Sequence, residues 1–235
     1  MDNFKKNYSE FYDTLYLKKN YKREFNLIKN LIRKYLKKPK SLLDLGCGTG
    51  KYSYLLTKLD LKVVGLDRSK FMIKIAKKNF FNNKKMSFIN SDLRNFKTKK
   101  KFDIISALFH ILSYQIKNRD IDKFFYNSNK ILKKNGILIF DFWYKKGVLN
   151  LKQPNKFKKV IYKNKLILKL TKSDWFKNLD IIHDNHDMII FDNKKLIKSF
   201  KETHKMRYFD LHFIKSKLKV NKFKYLNSID LNTNK

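Results

Sequence analysis

Short apolar runs at Ser41–Leu45, 62–66, Met86–Asn90, Phe102–Ala107 and 137–142 fit buried strands and are too short for buried helices. Between them the period changes. Tyr21–Tyr35 repeats apolar residues at Phe25, Ile28, Leu31, Ile32 and Tyr35, one helical face, and stops ahead of Pro39. The segment after Lys51 is helix-compatible. Residues 119–133 set Ile121, Phe124, Phe125, Ile131 and Leu132 on one face of an amphipathic helix, which Asn135-Gly136 ends. Strands alternating with helices predict an α/β fold with a doubly wound, mostly parallel, Rossmann-like sheet.

Beyond Trp143 the helical period disappears. Runs rich in Ile, Leu, Val, Tyr and Phe fill 157–209, broken at Lys163-Asn164, Lys177-Asn178 and Asp192-Asn193. Those breaks read as turns between antiparallel strands. A short helix over 211–219 and a last strand over 222–229 should follow. No linker rich in Pro, Gly or Ser separates the meander, and 235 residues suit one domain with an insertion. The expected division is 1–40 as an N-terminal lid and helix, 41–145 as the Rossmann-like core, 146–209 as an antiparallel β insertion, and 210–235 as a helix and strand completing the core.

Charge changes this picture less than its size suggests. A formal net charge of +36 points, taken alone, to nucleic acid or an anionic membrane. Yet arginine occurs only at Arg23, Arg33, Arg68, Arg94, Arg119 and Arg207, and lysine is spread along the whole chain. Arginine reads guanine edges and clamps phosphates with two parallel bonds. The pattern therefore reads as biased composition, and nucleic acid is not the expected partner, although the charge would draw in anionic, nucleotide-linked substrates. No run approaches a membrane span, and residues 1–10 contain no apolar signal region. The single cysteine, Cys47, leaves no internal disulfide and no cysteine zinc cluster. A reducing, cytoplasmic compartment is expected, and no metal.

The chemistry concentrates in 42–51, Leu-Leu-Asp-Leu-Gly-Cys-Gly-Thr-Gly-Lys. Alternate glycines at Gly46, Gly48 and Gly50 let a loop turn sharply after the first strand and let a ligand lie on bare main chain. Asp44 puts a carboxylate at the carboxyl end of that strand, where open α/β sheets bind ligands, and suits a ligand carrying an ammonium group. Asp67 ends the second strand about 20 residues beyond the loop, the usual partner of a ribose hydroxyl pair. Asp92 follows the third strand on the same edge.

These motifs resemble the class I S-adenosylmethionine-dependent methyltransferases, whose first motif Asp-x-Gly-x-Gly-x-Gly is matched by Asp44, Gly46, Gly48 and Gly50. The resemblance implies S-adenosyl-L-methionine as cofactor. The glycine loop would approach its methionine part, Asp67 its ribose, and Asp92 and Leu93 its adenine. Cys47, Arg68 and Leu108 complete the expected contacts. The Gly-x-Gly-x-x-Gly of dinucleotide enzymes is not matched.

The segment 108–114 after the fourth strand is where this family places acceptor chemistry. It lacks the Asn/Asp-Pro-Pro-Tyr of DNA amino-methylating members and the Asn-Leu-Pro-Tyr of ribosomal adenine dimethylases. His110 is the candidate general base, since imidazole titrates near neutrality. Tyr12 and Tyr16 would close over the cofactor. His183, His186, Glu202, His204 and Arg207 read individually as solvated strand residues.

A narrower resemblance is to bacterial small-molecule methyltransferases related to amino-sugar N-methyltransferases. It rests on 20–25, 108–114, Phe140-Asp141-Phe142-Trp143-Tyr144, and 202–209. It implies a catalytic role for His110 and Tyr12, acceptor contacts from Tyr16, Tyr114, His204 and Arg207, and a homodimer through the insertion. The expected acceptor is N or O of a small polar molecule, a nucleotide-linked or polysaccharide sugar. An RNA-directed methyltransferase and a non-catalytic cofactor-binding subunit are the alternatives.

Overall fold

A computed structural model describes residues 4–17, 19–151 and 155–230. Its centre is a five-stranded parallel sheet of order β3-β2-β1-β4-β5. The strands are β1 (Ser41–Leu45), β2 (Lys62–Asp67), β3 (Met86–Asn90), β4 (Phe102–Ala107) and β5 (Leu132–Phe140). Alternation along β1 sends Leu42 to one face, with Ile28 and Ile32 of α2 (Tyr21–Tyr35) and Leu56 of α3 (Lys51–Thr57). Leu43 and Leu45 face the other way, against Phe124 and Phe125 of α5 (Asn118–Ile131) and Ile214 and Leu218 of α7 (Leu211–Val220). Helix α4 (Lys70–Asn79) follows β2.

Helix starts follow local chemistry. Asn20, Ser69 and Asp210 accept backbone N–H bonds at the starts of α2, α4 and α7, satisfying donors that the first turn leaves open.

Two boundaries differ from expectation. Asn135-Gly136 does not stop the helix. α5 ends at Ile131, and the pair lies within β5, where register jumps from Phe102–Leu132 to Ile104–Ile137. Asn135 has φ +64, and a Cβ on Gly136 would meet the Asp103 carbonyl at 2.8 Å, so this is a bulge in close contact with β4. The strand expected over 222–229 is not formed. Among the described residues 221–230 carry no strand pairing, and only Phe223 packs on the core, so the tail gains too little burial to join the sheet.

The meander follows the turns read from the sequence. α6 (Lys145–Asn150) leads to β7 (Lys156–Tyr162), β8 (Lys165–Phe176), β9 (Ile181–Asp192) and β10 (Lys195–Phe209), paired antiparallel in sequence. The short β6 (Trp143–Tyr144) pairs in parallel with Tyr208 and Phe209, so the second sheet is mixed. The aromatic N-terminal segment is helix α1 (Lys6–Leu15), whose Tyr8, Phe11 and Leu15 pack against Ile167, Met188 and Ile190 of that sheet.

Candidate functional site

One cavity opens at the carboxyl ends of β1, β2 and β4. Gly46, Gly48 and Asp67 line one side, and Tyr12, Phe109 and Tyr114 the other. The glycine loop is drawn onto β2 by the Gly46 and Cys47 N–H groups, both donating to the Leu66 carbonyl (2.7 and 3.0 Å). Gly46, at φ +71, leaves no room for a side chain, since a Cβ would sit 2.1 Å from Cδ1 of Ile111. Gly48, at φ +56, is the opposite case. Nothing lies within 4 Å of where its Cβ would be, so bare main chain faces open space.

Asp67 is 8% exposed. Its Oδ2 accepts from the Gly48 N–H (2.9 Å) and its Oδ1 from the Ser69 N–H (2.8 Å). Burial raises its pKa despite those bonds. Each oxygen keeps a lone pair, which suits a vicinal pair of hydroxyls. Asp44 lies beneath the loop, where Oδ2 accepts from the Ser53 hydroxyl (2.5 Å) and Oδ1 from the Ser106 hydroxyl (2.8 Å). Burial pushes its carboxyl up to about 6. Burial likewise raises the Cys47 thiol well above its ordinary value, so it is a packed filler beside Gly65 rather than a nucleophile.

The expected adenine-side residues also have partners within the protein. Burial works against ionised Asp92, but Arg94 donates to both of its oxygens and holds its carboxyl below the usual range. Arg94 also reaches Asp120 (3.1 Å). Asp92 therefore anchors its loop instead of presenting a free carboxylate. Leu93 packs on the core beneath α5, and Leu108 on the opposite face of the sheet. Arg68, one residue beyond Asp67, is exposed.

Beyond β4 the chain makes a strained turn. Phe109 (φ +63) and His110 (φ +65) are both left-handed, a costly conformation for residues with side chains. Asp141 holds them, accepting from the Phe109 N–H (3.0 Å) and the His110 N–H (2.6 Å). The His110 Nδ1 is buried without a hydrogen-bond partner, 3.8 Å from Oδ2 of Asp141. Burial lowers its pKa, more than Asp141 raises it. Its neighbours Phe109 and Ile111 line the cavity, whereas His110 stands beside it.

The N-terminal segment closes the other side. The Thr49 hydroxyl donates to Asp13 (2.7 Å), and Lys51 lies 3.3 Å from the same carboxylate. Phe4 takes a bond from the Ser69 hydroxyl at its carbonyl (2.8 Å) and gives its N–H to Glu202 (2.6 Å). Tyr12 rests 4.8 Å from the Tyr16 ring, and burial raises both phenols. At neutral pH Tyr12 therefore keeps its phenolic proton.

His186, Glu202 and His204, read as solvated, are 5%, 5% and 4% exposed. They occupy the inner face of the second sheet beneath α1, because β9 and β10 alternate with Met188 and Met206 on that same face. His204 bonds to Tyr114 at the cavity wall (3.0 Å). Arg207 lies on the opposite face of β10. Its guanidinium donates to Asn118 (2.7 Å) and covers Phe209 and Phe213, away from the cavity. Asp13 and buried Lys169 had no sequence signal beyond residue type, since their partners lie on distant elements; Asp141 was marked by the 140–144 motif, but not as the holder of the turn.

Residues 42–136 match the family described as a methyltransferase domain. The chain is 40% identical over 124 residues to a ubiquinone biosynthesis O-methyltransferase of Pelagibacter ubique, covering 52% of this chain and 49% of that protein. It is 26% identical over 139 residues to a dTDP-3-amino-3,4,6-trideoxy-α-D-glucopyranose N,N-dimethyltransferase of Streptomyces venezuelae, 58% of this chain and 57% of that one. The chain thus spans about half the length of these relatives. In fold it is similar to an S-adenosylmethionine-dependent methyltransferase from Clostridium acetobutylicum, with a TM-score of 0.80 at 23% identity, over 97% of this chain and 92% of the other.

Proposed function

We propose, from the match of residues 42–136 to a methyltransferase domain, that this chain transfers a methyl group from S-adenosylmethionine to N or O of a small polar acceptor, a nucleotide-linked or polysaccharide sugar. The observation that carries this reading is the open face of Gly48 beside the buried carboxylate of Asp67. That cradle fits a nucleoside with a free ribose diol and a chain lying on main-chain atoms. When bound, S-adenosylmethionine supplies a methyl group on a positively charged sulfur. The protein's task is then alignment and exclusion of water.

Asp67 would hold the ribose hydroxyls, and the Gly46–Gly48 main chain the methionyl part. Asp44 would supply negative potential from beneath the loop. The turn at Phe109 and His110 would orient the acceptor, and Tyr12 on α1 and Tyr16 just beyond its end would close over the cofactor. The similarity to the Streptomyces venezuelae amino-sugar enzyme supports a sugar acceptor. The reading includes a cytoplasmic setting and a homodimer through the inserted sheet, whose edge strand β7 exposes Phe157 and Ile161.

Asp44 adds a pH dependence. Its folded pKa is raised from 3.8 to about 6. Between those values the folded state keeps a proton that the unfolded chain has lost, so stability falls as pH rises through the window. A cationic ligand favours the ionised form. Affinity for S-adenosylmethionine should therefore rise from pH 5 to pH 7, about fivefold for ~1 kcal/mol of Coulomb attraction. The Asp44→Asn variant should show no such slope in dialysis against labelled ligand.

The acceptor is tested by incubating the protein with S-adenosylmethionine and dTDP-3-amino-3,4,6-trideoxy-α-D-glucopyranose. Mass spectrometry should show one or two added methyl groups. Methylation of RNA with none on nucleotide sugars would overturn the acceptor class.

A further inference from the structure

A buried chain of hydrogen bonds leads from the cavity wall into the second sheet. The Tyr114 hydroxyl is 3.0 Å from Nδ1 of His204, and Nε2 of His204 is 2.9 Å from Oε1 of Glu202. The side chains of His204 and Glu202 are 5% and 3% exposed. Partners fix the direction of the protons. Oε1 of Glu202 already accepts from the Phe4 N–H (2.6 Å), which can only donate, so that oxygen is an acceptor and Nε2 of His204 carries its hydrogen. Nδ1 is then a bare lone pair, and the Tyr114 hydroxyl must donate to it.

We propose that Tyr114, His204 and Glu202 form a proton relay that removes the acceptor's proton during methyl transfer, with Tyr114 as the catalytic contact and Glu202 as a positioning residue. The inference rests on the methyltransferase reading. As the acceptor's N–H or O–H proton passes to the Tyr114 oxygen, the phenolic proton passes to Nδ1 of His204. For a hydroxyl the pair freed from O–H forms the new bond to the methyl carbon; for an amine its lone pair does, and the relay takes the proton from the nitrogen so charged. In both cases the broken carbon–sulfur pair stays on sulfur. The imidazolium so formed keeps its Nε2–H bond to the Glu202 carboxylate until solvent takes the proton.

The arrangement resembles the logic of a serine–histidine–carboxylate triad, with a phenol at the working end. A neutral phenol alone is a poor base, and burial raises Tyr114 further; coupling to an imidazole lone pair supplies what it lacks. Other titratable groups face the relay from every side. Tyr8 of α1 lies 5.0 Å and His186 of β9 4.9 Å from the His204 ring. Lys169 of β8 donates to the Tyr8 hydroxyl (2.9 Å), and Tyr12, Tyr16, Arg68 and Asp184 surround Tyr8 and Tyr114. Burial lowers Lys169 to about 8 and His186 to about 2. His186 is thus neutral, which spares the imidazolium at His204 one like charge.

The deciding experiment is nitrogen-15 NMR of the histidine ring nitrogens in full-length wild type and in Tyr114→Phe, with S-adenosylhomocysteine titrated into both. In the wild type His204 should be the Nε2–H tautomer. In Tyr114→Phe its Nδ1 signal should move toward that of an unbonded imidazole nitrogen. With the dTDP-amino sugar as probe, Tyr114→Phe should lower kcat about a hundredfold, the usual worth of general-base catalysis, while KM stays within about twofold. An Nδ1–H tautomer in the wild type, or undiminished kcat in Tyr114→Phe, overturns the relay. Failure of a folded wild type to bind S-adenosylhomocysteine overturns the methyltransferase reading instead, and the tautomer still decides the relay's geometry.

Discussion

Asp67→Ala should weaken binding of S-adenosylmethionine at least tenfold, and about a hundredfold if both ribose hydroxyls are held by this carboxylate. A hydrogen bond to a charged group is worth about 1.5–3 kcal/mol, and tenfold corresponds to about 1.4 kcal/mol. The loss has a second source within the protein. Asp67 receives the N–H of Gly48 and of Ser69, so removing it leaves two main-chain donors without their acceptor and loosens a loop held at positive φ. Asp67→Asn separates these contributions. It keeps one carbonyl acceptor and the shape, and loses the charge and one set of lone pairs. Its affinity should fall between wild type and Asp67→Ala by equilibrium dialysis with labelled ligand. Wild-type affinity in both variants would mean that the ligand's hydroxyls do not meet Asp67.

Asp141→Ala should destabilise the protein by about 2–4 kcal/mol, because one carboxylate accepts two successive N–H groups that have no other acceptor in the turn. For a chain of this size that is a fall in melting temperature of about 5–15 °C. The functional effect should be larger. Phe109 and His110 are held left-handed against their preference, and without Asp141 the turn relaxes toward ordinary backbone angles. Phe109 then leaves the cavity wall, and His110 its place beside the cavity. Turnover of an amino-sugar acceptor should drop at least tenfold, whereas affinity for S-adenosylhomocysteine, set mainly by Asp67 and the glycine loop, should change less than threefold. Asp141→Asn, with one oxygen acceptor left, should lie between. A large loss of cofactor affinity with normal turnover would reverse this assignment.

The parallel sheet could be read from sequence because its central strands β1, β2 and β4 are buried on both faces and so appear as nearly unbroken apolar runs. The glycine loop was equally legible, since Gly46 and Gly48 adopt backbone angles that most residues avoid. The turns of the meander were visible too, because Lys163, Asn193 and Lys194 sit at positive φ between alternating strands. The misread parts depend on contacts distant in sequence. Asn135-Gly136 has the composition of a helix stop, but the approach of the Asp103 carbonyl makes it a bulge. Residues 222–229 have the composition of a strand, yet only Phe223 finds a core to join. Alternation predicts that half of a strand is buried and not which half, so His204 and Glu202 looked no different from His183 or Arg207. The covering helix α1 decides between them. Asp92 adds a partner that sequence position does not announce, since an arginine two residues away bonds both of its oxygens.

The most direct measurement is a calorimetric titration of the purified wild-type chain with S-adenosylhomocysteine. The site built from Gly46, Gly48 and Asp67 calls for one binding event per chain at micromolar affinity, about −8 kcal/mol. A well-folded protein that releases no heat and shows no shift in melting temperature at millimolar ligand would contradict the cofactor assignment, and with it the roles given to His110, Tyr114 and the inserted sheet.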